Sequence, residues 1–208
     1  MVKEWDDVMK RRDFIKNIFC VGAGLALAPG LLGRELAEAA WQDGSGYLPG
    51  VTIRQTYLDF RSLTNRRVTD AIIVHHVGNT NADVSAETIH RWHLQNGWAG
   101  IGYHFVIRKD GTIEAGRPMD TVGAHCYGEN SHTVGVNVVG NFEDYIPEDA
   151  QLASAKHLLA ALCQYYGLYP DGNTIFGHRD FNATACPGKN LYDMLPDLIA
   201  GAARIYGR

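Results

Sequence analysis

The hydrophobic positions of this chain fall into short runs and helical stripes that alternate with polar, glycine-rich stretches. Ala71-Ile72-Ile73-Val74 is a continuous apolar run, the pattern of a strand covered on both faces, and it ends in the doublet His75-His76. Beyond it, Asp83 or Ser85 can cap a predicted helix reaching about Asn96. Glu87 lies in its first turn, Ile89, Trp92 and His93 share one face, and Gly97 stops it. Gly102 to Arg108 and Thr112 to Ala115 are two predicted strands joined at Asp110-Gly111, a dipeptide that tolerates the positive φ of a hairpin turn. Val134 to Val139 is another strand. A helix from about Pro147 to Tyr166 places Leu152, Ala155, Leu159, Leu162 and Tyr166 on one stripe and ends at Gly167. Thr174 to Phe176 is a last short strand, and after Pro187-Gly188 an amphipathic helix carries Leu191, Leu195, Leu198 and Ile199. Strands alternating with helices predict an α/β domain, a central mixed β-sheet flanked by helices.

The first 39 residues follow a different rule. A basic cluster, Lys10-Arg11-Arg12 with Lys16, precedes an apolar run from Ile18 to Leu32, the layout of a secretory signal. The run is interrupted by Gly22, Gly24, Pro29 and Gly30 and falls short of the roughly 20 residues a membrane-spanning helix needs. Arg11-Arg12-Asp13-Phe14-Ile15-Lys16 resembles a twin-arginine export signal, and Ala37-Glu38-Ala39 offers a cleavage site. The expected division is therefore a leader over 1–39, a lead-in over 40–69 and one domain over 70–208. The expected location is the periplasm or cell envelope, with no stable membrane span after processing and a monomeric state. A formal charge of −4 provides no basic face for nucleic acid. Cleavage after Ala39 leaves Cys126, Cys163 and Cys186, an odd number in a disulfide-permissive compartment, so at least one has another task. Cys163 falls on a helical apolar stripe and reads as core.

Histidine and cysteine are zinc ligands, and a catalytic zinc site uses three protein donors with a fourth position open. His75 and His178 end predicted strands, and Cys186 follows His178 in one loop. Spacing alone leaves His75 interchangeable with His76 and gives Cys186 no advantage over Cys126 or Cys163. His90, His93 and His104 read as packing residues, and His132 and His157 as surface. Asp180 either orients His178 or caps its loop.

Six motifs change this picture: Val74-His75-His76; Gly100-Ile101-Gly102-Tyr103-His104-Phe105; Gly111 to Arg117; Gly123-Ala124-His125; Gly135-Val136 followed by Gly140; and Gly177-His178-Arg179-Asp180 with Cys186-Pro187-Gly188. In this order and register they resemble the N-acetylmuramoyl-L-alanine amidases related to phage lysozyme-type amidases and peptidoglycan recognition proteins. The resemblance implies a Zn²⁺ ion held by His75, His178 and Cys186, with His76 directed to the opposite side of its strand. It implies a peptidoglycan or muropeptide substrate cut between N-acetylmuramic acid and L-alanine, with Tyr103 and the weaker donor Thr184 stabilising the developing oxyanion. His125 is placed near the cleft as a substrate contact. Asn137, also a candidate substrate contact, stands where a cytosolic branch carries a glutamate base. Thr184 follows the recognition-protein branch, where phage enzymes have lysine. The competing expectation is a recognition module that binds peptidoglycan without cutting it; such relatives have typically lost a ligand, often the cysteine. A metallohydrolase of another acyl-amide and a phage endolysin are further alternatives, and the paired-arginine leader argues against the endolysin.

Overall fold

Six strands build one sheet in the order β1-β4-β3-β5-β2-β6. They are β1 (Ile53–Arg54), β2 (Ala71–His76), β3 (Phe105–Ile107), β4 (Ile113–Ala115), β5 (Thr133–Val138) and β6 (Ile175–Gly177). This computed structural model describes Leu48 and residues 50–207, so the leader expected over 1–39 lies outside the described residues. All strand pairs are parallel except β3 with β4, which form the hairpin turning at Asp110-Gly111. The sheet is therefore mixed, as expected. The stretch 40–69 contributes an edge strand, because Ile53 pairs with Ile113 and Arg54 with Glu114.

Strand β2 is buried at all six positions, with β5 on one side and β6 on the other. Its alternate residues serve two layers. Ile72 and Val74 join Val134, Val136, Val138, Phe105 and Ile107 in the larger core, together with Leu158, Leu159 and Leu162 of helix α2 (Asp149–Tyr166). Cys163 lies in this core, as its stripe predicted. The C-terminal stripe is two helices, α3 (Lys189–Asp193) and α4 (Leu195–Ile205), broken at Met194. Pro196 explains the break: without an N–H it is tolerated in the first turn of a helix but not in its interior.

Helix α1 (Ala86–Gln95) covers the other face, packing Ala86 and Ile89 on Ile101, Val106 and Val139. Ser85 is its cap, accepting from the Thr88 N–H at 3.2 Å. Asp83, the alternative cap, instead receives Arg108 through Nε at 2.9 Å and Nη2 at 2.8 Å. Glu114 fixes the helix from beneath. Its buried carboxylate accepts from the Ala86 N–H at 2.6 Å, from Arg108 Nη1 at 2.8 Å and from Arg54. Glu114→Ala leaves a helix N-terminus and part of Arg108 without their anion, and unfolding in denaturant should show a loss of about 3–5 kcal/mol. A loss below about 1 kcal/mol, the ordinary value for an exposed ion pair, would mean that the carboxylate does not anchor the helix.

Candidate metal centre

Three segments converge at the C-terminal ends of β2 and β6. His75 is the fifth residue of β2, and the even-odd alternation that sends Val74 into the core sends His75 to the face covered by α1. His178 opens the 3₁₀ turn His178–Asp180 directly after β6. Cys186 returns on the loop that follows, with the Arg179 N–H donating to the Cys186 carbonyl at 2.9 Å and the His76 N–H donating to Cys186 Sγ at 3.4 Å. One donor atom each from His75, His178 and Cys186 lies within 4.8 Å of the others.

The donor set fits zinc. Zn–N near 2.0–2.1 Å and Zn–S near 2.3 Å at a tetrahedral angle put nitrogen and sulfur about 3.6 Å apart, and His75 Nδ1 lies 3.6 Å from Cys186 Sγ. Burial, with the neighbouring His125 and His178, lowers the His75 pKa well below its ordinary value, and burial lowers that of His178. Both imidazoles are thus neutral at neutral pH, the form in which histidine can bind a metal. Burial pushes the Cys186 thiol up to about 12, so its thiolate forms only when a cation arrives to take the charge.

The remaining histidines sort by their partners. His76 turns to the opposite side, where its Nδ1 accepts from the Phe142 N–H at 3.1 Å. His90 Nδ1 accepts from the Ile101 N–H at 3.2 Å and His93 Nδ1 from the Gly102 N–H at 3.0 Å. One turn apart on α1, they grip the backbone immediately before Tyr103, a role finer than the packing expected of them. His104 is buried between the Gly135 N–H and the Thr121 carbonyl, beside Arg66. His132 is not free surface, because it meets Asp70 at 2.6 Å and Glu129 at 3.0 Å, and these carboxylates raise its pKa. His157 is exposed.

Tyr103 stands beside the cluster, its ring centroid 5.1 Å from that of His75 and 5.7 Å from that of His93. Burial, with the nearby Cys186, pushes its phenol pKa up, so the hydroxyl keeps its proton. It forms one wall of a cavity of about 330 Å³ whose other walls include Trp92, Gln95, Asn96 and Asn79. Thr184 is exposed on the Cys186 loop, where its Oγ1 accepts from the Cys186 N–H at 3.2 Å. Asn137 pairs with His75 across β2 and β5, is fully buried, and has no partner for either amide atom among the described residues. His125 is buried beside His75, its Nδ1 3.0 Å from His75 Nε2. Of the two roles open to Asp180, the structure gives it the cap, accepting from the Gly177 N–H at 2.7 Å and from the Tyr192 hydroxyl. The partner of His178 is Asn182, whose Oδ1 is 3.0 Å from Nε2. Asn182 had no signal in the sequence.

Residues 64–189 match the N-acetylmuramoyl-L-alanine amidase family. The chain belongs to that family. It is 38% identical over 136 residues to an endolysin of Klebsiella phage KP32, an alignment covering 62% of this chain and 86% of the phage protein. It is 34% identical over 129 residues to peptidoglycan-recognition protein SC2 of Drosophila melanogaster, covering 59% of this chain and 70% of that protein. Among solved structures, the N-acetylmuramoyl-L-alanine amidase LysC from Clostridium intestinale superposes with a TM-score of 0.65 at 32% identity, covering 72% of this chain and 97% of its own. Among the described residues, no helix is long and apolar enough to cross a membrane.

Proposed function

We propose that this member of the family is a zinc amidase that hydrolyses the amide between N-acetylmuramic acid and L-alanine in peptidoglycan or its fragments. The observation that carries the reading is the convergence of His75, His178 and Cys186, with Tyr103, which walls the cavity, packed against His75. Two imidazoles and a thiolate form the donor set zinc prefers over harder cations, and three ligands leave a position open. When bound, the ion supplies a Lewis acid for the amide carbonyl and brings the pKa of water from about 15.7 towards ~7.

The chain's own residues supply the rest. Tyr103 donates its O–H to the carbonyl oxygen as that oxygen gains charge in the tetrahedral intermediate, and it can do so because its proton is held tightly. The Thr184 hydroxyl accepts from the backbone and keeps its own proton for a second, weaker donation from the solvent side. Asn79, Gln95 and Asn96 offer uncharged amides along the cavity beside the Trp92 ring, a lining suited to hydrogen-bonding peptide and sugar groups without selecting for charge. Asn137 brings a neutral amide, not a carboxylate, beside His75. Action outside the cytoplasm is part of this proposal and is supported by the sequence of the Arg11-Arg12 leader.

Incubation with purified muropeptide, followed by mass spectrometry, tests the reading. Sugar and peptide should separate with zinc present and remain joined with a chelator. The similarity to recognition protein SC2 supports the second reading, a binding module; tight binding of intact muropeptide at equimolar zinc would decide for it.

A further inference from the structure

His75 is backed by His125 of the loop 123–132, and His178 by Asn182, whose amide that loop holds; the hydrogen bonds along both lines run in one direction. Thr133 Oγ1 lies 2.8 Å from the Glu129 carbonyl, which can only accept, so the Thr133 proton points there. Its oxygen is then the acceptor for His125 Nε2–H at 3.4 Å. With its proton on Nε2, His125 presents a bare Nδ1 to His75 Nε2 at 3.0 Å, so His75 must donate from Nε2. The lone pair of His75 is left on Nδ1, the atom facing Cys186 Sγ. The second line has the same polarity. Asn182 Nδ2 donates to the Tyr127 carbonyl at 3.1 Å, which fixes the orientation of the amide. Its Oδ1 therefore accepts from His178 Nε2–H at 3.0 Å, and it also takes the Cys126 S–H at 3.5 Å.

We infer that the 123–132 loop is the positioning element of the metal centre: through His125 and Asn182 it sets both ligand histidines in the Nε2–H form with Nδ1 turned to the ion. The loop is built to hold that posture. Asn130 Oδ1 accepts from the His125 and Cys126 N–H groups at 2.8 and 3.0 Å. The Ala124 N–H donates to the Gly102 carbonyl at 3.1 Å, and a Cβ at Gly102 would stand 1.9 Å from the Ala124 oxygen. A Cβ at Gly135 would stand 2.6 Å from the His125 ring. These glycines let the loop and its histidine press against the sheet. His125 and Asn182 are positioning residues, and both are uncharged acceptors, so they orient the ligands without adding negative charge to a centre that already carries a thiolate.

The inference rests on the zinc reading, and the test separates the two. Zinc affinity is measured by competition with a chromophoric chelator on the 208-residue chain and on its His125→Leu, His125→Asn and Asn182→Ala variants. Long-range ¹H–¹⁵N spectra of the metal-free proteins report which nitrogen of His75 and His178 carries the proton. The unchanged protein should show Nε2–H at both, and His125→Leu and Asn182→Ala should each bind zinc about 10–100-fold more weakly, the usual cost of losing such a partner. His75 should lose its fixed tautomer in the first variant and His178 in the second. His125→Asn, whose carbonyl can again face His75, should recover most of the affinity. Should His125→Leu fail to fold, the partly exposed Asn182→Ala and the rescue variant carry the test. Unaltered affinity and tautomers in the folded variants would overturn the loop's role while the metal centre stands. Failure of the unchanged protein to bind zinc would overturn both.

Discussion

Replacing Cys186 by serine should abolish stoichiometric zinc and reduce muropeptide cleavage by on the order of 10³-fold or more, because the lowering of water's pKa from about 15.7 to about 7 is lost with the ion. A serine hydroxyl is almost the same size as the thiol but ionises far less readily. Burial already pushes the Cys186 thiol up to about 12, so the site ionises even a thiol only with a cation's help. The loss of affinity should exceed the roughly 10–100-fold expected for a residue that merely orients a ligand. Elemental analysis after gel filtration reads the metal, and mass spectrometry of muropeptide reads turnover. Binding of muropeptide should survive, since Trp92, Gln95 and Asn96 along the cavity are untouched. The variant would then bind without cutting, as expected of relatives that have lost this ligand. Cleavage at the original rate would remove Cys186 from the ligand set.

How much of this site was visible before the fold was known depends on how local each signal is. The run ending at His75 was legible because β2 is buried on both faces, which leaves no alternation to hide it. The helix over Ala86–Gln95 was legible from Ser85 and from the spacing of Ile89 and Trp92. Strand β1 was not, because two residues pairing with Ile113 and Glu114 far along the chain leave no periodic trace. The break at Met194 was masked by a stripe that continues through Leu191, Leu195 and Leu198, with Pro196 as its one visible mark. His125 is placed near the site by the motif, but its hydrogen bond to His75 is not legible in the sequence. Its depth follows from the space left by Gly135, a contact between segments that neither segment announces alone. Asn182 lies four residues after His178, and only the 3₁₀ turn at His178–Asp180 bends it back over the ring. Polar residues that act on a ligand through one hydrogen bond obey no period, so they become visible only when partners and distances are known.

Tyr103→Phe should lower the rate of cleavage by about a hundredfold or more, the usual cost of removing one donor from a developing oxyanion, while zinc content, muropeptide affinity and folding stay close to those of the unchanged protein. The ring itself remains. It continues to pack between His75 and His93 and to wall the cavity beside Trp92, and the grip of His90 and His93 on the preceding backbone does not involve the hydroxyl. Only a donor is lost, so the effect belongs in kcat rather than in KM. Its pH dependence is also defined. Because burial raises the phenol pKa above its ordinary value, Tyr103 is protonated throughout the neutral range, and the deficit should be the same at every pH where the protein is folded. An alkaline limb that vanishes in the variant would instead show that the phenol gives up its proton during turnover, making Tyr103 an acid rather than a fixed donor. An unchanged rate would leave the oxyanion to the metal and Thr184.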